Sequence, residues 1–441
     1  MLTDWSEIDN GLLNPEWYAD GEPQEAFQRL RTEDPVHLAK PSNYGKPFWV
    51  VSRYQDVVAV LSDPANFSSY RDTRPPRSSR RLTTSELHSS GTDANLNHMD
   101  PPFHTLYRRS VEEYFSFASV ERLRTTVEGV VDDLIAELAP RGRTDFVGEL
   151  AADLPMHVIM RFLGVPRGDW EWLRDRVWQS FAPSDPRYLV PGQSPEKTMA
   201  DAEEAISEYT AKLAKEKRAH PGDDFASVLT KTVVDEVVLD EHEVAAWLSL
   251  LIAASLETTR NTASVGLWLF YRNPDQRELL AQNPALIEQA VDEVLRWAAP
   301  VRSRLRVARF DTTIGGKSIK AGDWVVPFLT SANRDESVFE DPHAFNILRE
   351  RKEHMSLGEG IHKCLALHLV RLELMVLFSK FFEAFPDFHL PHADKPAWIV
   401  DHVLNGFSTL EVEFEAPKGA TTSVTRGVGG TLNVPRVDAR Q

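Results

Sequence analysis

The stretch His354-Met-Ser-Leu-Gly-Glu-Gly-Ile-His-Lys-Cys-Leu-Ala366 holds Cys364, the only cysteine in a chain of 441 residues. Gly358 and Gly360 lie just before it, so the backbone there can adopt positive φ or pass close to a flat partner. An apolar helical pattern follows directly, which places the sulfur near a helix start, where free N–H groups stabilise an anion. The pattern predicts a glycine-rich loop that presents one activated sulfur.

The charge around this sulfur favours a thiolate. His362 and Lys363 are its immediate neighbours, and nearby cations lower the pKa of a thiol. A lone cysteine is otherwise a small buried hydrophobic residue. A catalytic nucleophile would need a histidine and an orienting partner. The loop by itself therefore suits either a metal ligand or a nucleophile. Motifs elsewhere in the sequence are needed to distinguish the two.

Composition restricts the class of protein. Apolar residues make up 42% of the chain, enough for a sizeable core, and the net charge of −17 argues against nucleic-acid binding as the main task. One cysteine excludes an intramolecular disulfide framework and fits a reducing, cytoplasmic location. The N-terminus lacks the basic and apolar regions of a signal peptide. The longest apolar run, residues 245–256, is about 12 residues long and too short to span a bilayer.

Residues 241–270 predict a long helix that is apolar on nearly every face and therefore buried at the centre of the protein. Glu257 interrupts it, followed by Thr258. A carboxylate in a buried helix is costly and needs a reason. It could form a structural ion pair with Arg260 at i+3, the threonines could bend the helix, or the acid could relay protons.

A second pattern lies near residue 100. Asp100-Pro-Pro is a helix-start signal, and His104 and Arg108 follow it four residues apart, on one helix face. They could be an ordinary exposed pair. Two donors on one face also suit two carboxylates of a ligand.

The arginines elsewhere are less specific. Glu293 and Arg296 form a Glu-x-x-Arg pair, which alone is a weak signal. Residues 68–97 are poor in large apolar side chains and predict either a solvated loop or a basic lid over an anionic substrate. Five arginines fall within that segment: Arg71, Arg74, Arg77, Arg80 and Arg81.

The cysteine loop resembles the haem-ligand signature of the cytochrome P450 family, Phe-Gly-x-Gly-x-His-x-Cys-x-Gly. The matching positions are Leu357, Gly358, Gly360, His362, Cys364 and Ala366. The resemblance implies that Cys364 is the axial ligand of a haem iron and that the other residues of the loop border the haem. Leu357 stands where Phe is usual, so we expect a more accessible thiolate and an altered reduction potential, with ligation intact. Ala366 stands where Gly is usual and adds one methyl group near the haem edge, a mild perturbation.

Four further motifs of the family occur earlier in the chain, in the order usual for the family. The resemblance covers about residues 20 to 415. It implies that His104, Arg108 and Arg306 hold the haem propionates. Glu257 and Thr258 match the family's acid–alcohol pair, which handles protons during oxygen activation. The structural trio of the family maps to Glu293, Arg296 and Arg349.

The resemblance also suggests a substrate pocket. Ala254 and Ser255 precede the acid–alcohol pair, and Ser255 replaces the usual Gly, which narrows the space above the iron. Arg302 falls where a side chain usually points into the pocket. An inward arginine needs an anionic partner, and a substrate carboxylate is one candidate. The alternative is that Arg302 or Arg304 turns to solvent or pairs with a carboxylate of the protein.

The fold implied is mainly α with a small β-rich subregion, the cytochrome P450 fold. We expect one catalytic domain over residues 1–417 and a polar, disordered tail over residues 418–441. The expected cofactor is haem b (iron protoporphyrin IX), and the chain is expected to be a monomer that binds neither nucleic acid nor membrane. A positive proximal patch for an acidic ferredoxin is predicted from Arg108, Arg109, Arg351, Lys352 and Lys363.

The reaction implied is insertion of one oxygen atom from O2 into a C–H bond of a small or medium organic substrate, including one that bears a carboxylate. Electrons would come from NAD(P)H through a ferredoxin reductase and a ferredoxin. Desaturation, C–C cleavage and ring coupling use the same motifs and remain alternatives. Two further alternatives are a family member that uses peroxide and a haem-binding protein without turnover. The presence of Glu257 and Thr258 argues against both.

Overall fold

The computed structural model describes residues 4–42, 46–70, 94–350 and 353–415. The arginines at positions 71–81, the tail over residues 418–441, and Arg351 and Lys352 of the predicted proximal patch lie outside the described residues.

Helices make up most of the described chain. The α-helices are Trp5–Gly11 (α1), Gln24–Glu33 (α2), Tyr54–Ser62 (α3), Phe103–Arg109 (α4), Phe117–Glu121 (α5), Arg124–Leu138 (α6), Asp153–Leu163 (α7), Trp170–Phe181 (α8), Pro195–Ala219 (α9), Phe225–Leu229 (α10), Glu241–Arg272 (α11), Pro274–Gln282 (α12), Ile287–Ala298 (α13), Leu329–Ala332 (α14) and Leu367–Ala384 (α15). Shorter 3-10 turns are Pro15–Tyr18, Leu96–His98, Glu112–Phe115, Ala139–Arg141, Arg167–Asp169, Pro284–Leu286, Met355–Leu357 and Gly360–His362, and Val147–Ala151 is a π-helix.

The strands are short and form small sheets. They are Val36–Ala39 (β1), Phe48–Val51 (β2), Phe67–Ser68 (β3), Arg143–Asp145 (β4), Val233–Val234 (β5), Val237–Val238 (β6), Arg306–Ala308 (β7), Thr312–Ile314 (β8), Lys317–Ile319 (β9), Trp324–Pro327 (β10), Ala397–Trp398 (β11), Phe407–Thr409 (β12) and Glu411–Glu413 (β13).

The long helix α11 lies at the centre of the helical region, as its apolar pattern predicted. Asp240 begins it with a capping box, in which its carboxylate accepts from the Glu243 amide while the Glu243 side chain accepts from the Asp240 amide. Helices α7, α9, α13 and α15 all pack against it. Because so many elements surround α11, its polar residues are held inside the protein.

The largest sheet has the order β1-β2-β10-β7-β3. Its pairs are antiparallel except for β2 and β10, which run parallel. Two apolar clusters pack around this sheet, and a third, larger cluster fills the helical region. This is the mainly α fold with a small β-rich subregion that the sequence predicts.

The strands of the C-terminal part pair both with each other and with a distant strand. Strand β11 pairs with β12, but β13 pairs with the distant β4 and so ties the C-terminal segment to the helical region. In the part of the chain described, none of the helices combines the length and the hydropathy needed to cross a bilayer.

Candidate active site

The cysteine loop is shaped by its glycines. Gly358 and Gly360 have φ of 72° and 69°, and Gly358 has ψ of −177°, a region essentially restricted to glycine. A Cβ on Gly360 would lie 2.4 Å from the carbonyl oxygen of Leu61 at the end of α3. The Cys364 amide donates to the Leu357 carbonyl at 2.7 Å. The loop is thereby closed on itself and pressed against α3.

The sulfur of Cys364 lies three residues before the start of α15, and the residue is partly exposed. Although part of the residue is accessible, protein packed around the sulfur raises the pKa of the Cys364 thiol by desolvation, while the Ala366 amide and the Arg108, Arg371 and Arg304 guanidinium groups oppose that rise. A coordinated metal ion deprotonates a thiol outright. The site therefore suits a metal-bound sulfur better than a free thiolate nucleophile.

The two cations predicted beside the sulfur act differently from the prediction. Lys363 pairs with Glu353 at 2.8 Å and Glu359 at 3.6 Å, so its charge is used on the loop surface. Burial and the nearby Arg306 lower the pKa of His362 to about 2, which keeps its ring neutral. The difference arises from the tertiary structure. Arginines that are distant in the sequence lower the pKa of the sulfur, whereas the side chains adjacent to it in the sequence do not.

A cluster of buried donors lies beside this loop. His104 is 1% exposed, and within the described chain neither of its ring nitrogens has a partner. Its ring meets that of His362 edge-on, with centroids 4.3 Å apart. Arg306 is 3% exposed and donates only to the carbonyl of Leu305, at 2.9 Å, as far as the described residues show.

The electrostatics of this cluster call for an anion. Burial, and then Arg108, lower the pKa of His104 to about 4. Burial, and then Arg304, lower the pKa of Arg306 to about 10. Buried donors without acceptors are costly, so a bound anionic group would stabilise the cluster.

Arg108 completes the cluster from α4. Its guanidinium donates to the carbonyls of Ile361 at 3.2 Å and Lys363 at 2.7 Å, so it braces the cysteine loop directly. The structure thus brings the three predicted propionate ligands to one side of the loop. Two carboxylates of a ligand fit there.

The middle of α11 carries the other predicted residues. Ala254 is exposed and Ser255 and Thr258 are partly exposed, although the helix around them is buried. Exposure at the centre of a buried helix marks an internal cavity. The Thr258 hydroxyl donates to the Ala254 carbonyl at 3.0 Å, which bonds it to the preceding turn and leaves its oxygen able to accept from the cavity side.

Glu257 faces away from that opening. It is fully buried, and its Oε2 accepts from Nη2 of Arg260 at 2.8 Å, the i+3 ion pair that the sequence left open. Burial raises the pKa of the Glu257 carboxyl group even though Arg260 lowers it. A buried carboxyl group with a raised pKa is suited to carry a proton near neutral pH.

The three residues that the resemblance assigns to a structural trio lie together. Arg296 makes a two-pronged contact with Glu293, at 2.7 and 2.9 Å, and Arg349 approaches the same carboxylate at 3.1 Å. Arg296 also donates to the carbonyls of Asn333 and Pro342. The trio ties α13 to the segment that leads into the cysteine loop.

For Arg302, the structure shows one of the two alternatives that the sequence left open. Arg302 is fully buried, its guanidinium forms an ion pair with Glu22 and lies 4.3 Å from the ring centroid of Tyr18, and its Nε donates to the Asp401 carbonyl at 3.3 Å. A carboxylate of the protein, and not one of a substrate, is therefore the partner of Arg302. Glu22 lies 280 residues away in the chain, and no local signal could have identified it.

Sequence reasoning also missed two groups. Arg304 is partly exposed, and its charge acts on both Cys364 and Arg306. Glu373 on α15 is a second buried acid, whose pKa burial raises to about 8 and whose carboxylate lies 3.5 Å from the Thr259 hydroxyl of α11. An acid flanked by apolar residues on both sides in the helix after the cysteine was a signal that could have found Glu373.

The orphaned donors of His104 and His362 fit the propionates of a haem, and the partly exposed Cys364 fits its iron. Cys364 would hold the metal, and His104, Arg108 and Arg306 would hold the two carboxylates. The fold and site together are those of a haem–thiolate protein.

Comparisons with known proteins agree. The family model described as Cytochrome P450 matches residues 170–415. Putative cytochrome P450 126 of Mycobacterium tuberculosis is 35% identical over 388 residues, covering 87% of this chain and 90% of the relative. The steroid C26-monooxygenase of Mycolicibacterium smegmatis is 32% identical, covering 93% of this chain and 94% of the relative.

Solved structures give the same result. Cytochrome P450 CYP268A2 of Mycobacterium marinum, in complex with pseudoionone, superposes with a TM-score of 0.81 at 30% identity, covering 89% of this chain and 94% of that chain. The chain belongs to the cytochrome P450 family and is, in general terms, a P450 monooxygenase. The family implies a haem cofactor.

Proposed function

We propose that the chain binds haem b through Cys364 and inserts one oxygen atom from O2 into a C–H bond of a small or medium organic substrate. The observation that carries this proposal is the set of buried ring nitrogens of His104 and His362 that lack partners among the described residues, beside the cysteine loop and the buried Arg306 guanidinium. Such a set is unfavourable in an empty protein and becomes favourable with two carboxylates bound.

When bound, the haem supplies the oxidation chemistry, and a thiolate ligand favours O–O cleavage. The chain supplies binding and protons. Arg108 and Arg306 would neutralise the carboxylates of the cofactor, and the Thr258 hydroxyl oxygen can accept a hydrogen bond at the cavity wall. Glu257 carries a proton on the oxygen that Arg260 does not occupy.

We propose that the electrons reach the haem from NAD(P)H through a ferredoxin and its reductase, as the resemblance implies. The docking patch needs revision, because Arg108 and Lys363 are engaged within the loop region and only Arg109 of the described members is freely exposed. The monomeric state, the single domain over 1–417 and a cytoplasmic location stay predictions.

We propose a substrate recognised mainly by shape and apolar contact. The reasons to expect a carboxylate were Arg302, whose charge Glu22 already balances, and the arginines at positions 71–81, which lie outside the described residues. Relatives of this chain include a protein named as a steroid C26-monooxygenase and one solved with pseudoionone. These names favour a ring- or chain-bearing organic molecule over a small anion.

The function is tested on the haem-loaded protein. Wild type is expected to show the Soret band of a thiolate–haem in the reduced, carbon monoxide-bound state, and Cys364→Ser is expected to abolish it. Ala366→Gly, which restores the usual family residue, is the matched control and should keep the band. A thiolate band that persists in Cys364→Ser would show that the ligand is assigned wrongly.

Turnover is tested separately, by NAD(P)H and O2 consumption with a ferredoxin and reductase across a substrate panel. A normal thiolate spectrum with no turnover for any compound would favour a haem-binding protein without catalysis.

The substrate class is tested by the low- to high-spin shift on titration with organic acids and their esters. We expect Arg302→Leu to leave the ratio of acid to ester affinity unchanged. A loss of acid affinity in Arg302→Leu, on the order of tenfold or 1.4 kcal/mol, would restore the carboxylate hypothesis. The same loss confined to Arg304→Gln would move the anion site to Arg304.

A further inference from the structure

The carboxyl group of Glu257 has two inequivalent oxygens. Oε2 accepts from Arg260 at 2.8 Å, whereas Oε1 is buried and has no protein partner among the described residues. A fully buried ion pair is normally stable only when its remaining polar atoms are also satisfied. The open Oε1 therefore needs a role that a purely structural pair would not give it.

Arg260 is held from its other side by elements outside α11. Its Nη1 donates to the Tyr188 hydroxyl at 2.8 Å, and its guanidinium lies 5.2 Å from the ring centroid of Trp178. The rings of Trp178 and Tyr188 are 5.3 Å apart, so they form one aromatic wall. Trp178 belongs to α8 and Tyr188 to the connection between α8 and α9.

The other charged groups around Glu257 come from the same α8–α9 connection and from one further segment near the C-terminus. Asp401 raises and Arg187 lowers the pKa of Glu257, while Asp185 acts on Arg260. Arg187 and Asp185 pair with each other at 2.6 Å, and Asp401 accepts from the amides of Val403 and Leu404 at 2.7 Å each. Among these groups, Arg260 is the direct cationic partner of the carboxylate.

We propose that Arg260 and Tyr188 are positioning residues for the proton that Glu257 carries, an inference that rests on the proposed function. Arg260 fixes Oε2 so that proton exchange takes place at Oε1, and Tyr188 fixes Arg260 by accepting from Nη1. The α8–α9 connection thereby influences the protonation of Glu257 through the contacts of Tyr188 with Arg260 and of Arg260 with Glu257.

The direction of the effect follows from the charges. Arg260 lowers the pKa of Glu257 against the larger effect of burial. Without that cation, Glu257 would stay protonated to higher pH and release its proton less readily. Loss of the Tyr188 hydroxyl would loosen Arg260 and act in the same direction, but less strongly.

The first test is an infrared titration of the haem-loaded protein. The carboxyl C=O band of Glu257 is assigned by its loss in Glu257→Gln. We expect Arg260→Gln to raise the titration midpoint by about one pH unit or more, equivalent to about 1.4 kcal/mol. Tyr188→Phe should give a smaller rise, and Arg260→Lys should return the midpoint most of the way to wild type.

The matched control is Tyr209→Phe. The Tyr209→Phe variant also loses a partly buried phenol–protein hydrogen bond, to Asp169 at 2.7 Å, but Tyr209 lies outside this network. Its titration midpoint should equal that of wild type. If Arg260→Gln does not fold, the Glu257 titration midpoint of Tyr188→Phe compared with that of Tyr209→Phe still tests the proposal.

A second test is the pH dependence of product formed per NAD(P)H, with its H2O/D2O isotope effect. Both should change in Arg260→Gln and Tyr188→Phe and stay unchanged in Tyr209→Phe. Folded variants whose Glu257 midpoint does not move would show that the pair is structural only. The carbon monoxide spectrum separates this outcome from failure of the proposed function, because it reports iron ligation and does not depend on Glu257.

Discussion

Two helices of this protein carry a buried glutamate and an arginine three residues later, and the two pairs differ in how completely they are satisfied. On α13, Glu293 accepts from Arg296, Arg349 and the Asn346 amide. On α11, Glu257 accepts from Arg260 through one oxygen, and both its second oxygen and Nε of Arg260 lack partners among the described residues.

This difference distinguishes a pair suited to a structural role from a pair suited to carrying a proton. The sequence alone does not make that distinction, because both pairs have the same spacing. A pair with every donor and acceptor used resists both protonation and movement, so it suits a structural role. A pair with an open carboxylate oxygen keeps a place for a proton and has a stability cost. His104 resembles the open pair in this respect, because both of its buried ring nitrogens lack partners among the described residues.

The largest effect should come from breaking the saturated pair. Glu293→Gln leaves Arg296 and Arg349 buried without their counter-charge, and we expect the free energy of unfolding to fall by about 3–5 kcal/mol. Urea denaturation measures it. The exposed Glu278→Gln is the control and should change the value by less than about 0.5 kcal/mol. A Glu293→Gln protein as stable as that control would contradict the structural role.

Breaking the open pair should affect turnover more than stability. We expect Glu257→Gln to lower product formation on the order of 10²-fold, since a positioned proton donor contributes about that much. Its free energy of unfolding should fall less than that of Glu293→Gln. Steady-state rates and urea denaturation on the same preparations compare the two. Equal stability losses with full turnover in Glu257→Gln would make the pairs equivalent.

The open histidine should make the haem-free protein sensitive to acid. The pKa of His104 is about 4 in the folded chain against an ordinary 6.5, so the unfolded state binds more protons between these values. Stability is therefore expected to fall as pH drops from about 6.5 to about 4. Thermal unfolding of haem-free protein across this range measures the loss.

His104→Gln should flatten that dependence, and haem loading should reduce it, because propionates favour the charged imidazole. A haem-loaded protein with the same acid sensitivity as the haem-free protein would argue against propionates beside His104.

The smallest effect is expected at Leu357. Its carbonyl accepts from the Cys364 amide whatever the side chain, so Leu357→Phe should keep the thiolate spectrum. The added ring should shield the sulfur and shift the reduction potential. A potentiometric titration measures the shift, with Leu357→Met as a control of similar volume without a ring. Identical potentials in all three proteins would show that this position does not tune the iron.

The sequence was sufficient for features that depend on local pattern. The long helix α11 was expected over residues 241–270 and spans Glu241–Arg272, because apolar residues and a capping box act within a few turns. The motifs at His104, Glu257 and Cys364 were likewise identified by short-range spacing.

What the sequence missed depends on tertiary contacts. Arg302 pairs with Glu22 across 280 residues, and Lys363 turns to Glu353 and Glu359 rather than to the adjacent sulfur. Whether Glu257 was relay or ion pair could not be resolved either, since the open oxygen is visible only once the neighbours of α11 are known.

The close contact between Gly360 and α3 has a consequence for directed evolution. If residues 354–366 were randomised and haem uptake selected, position 360 would return glycine alone, because a Cβ would overlap the Leu61 carbonyl. Position 358 would return glycine for its backbone angles. Positions 357 and 366 would accept several residues. Useful diversity in such a library is therefore confined to the side chains that border the cofactor.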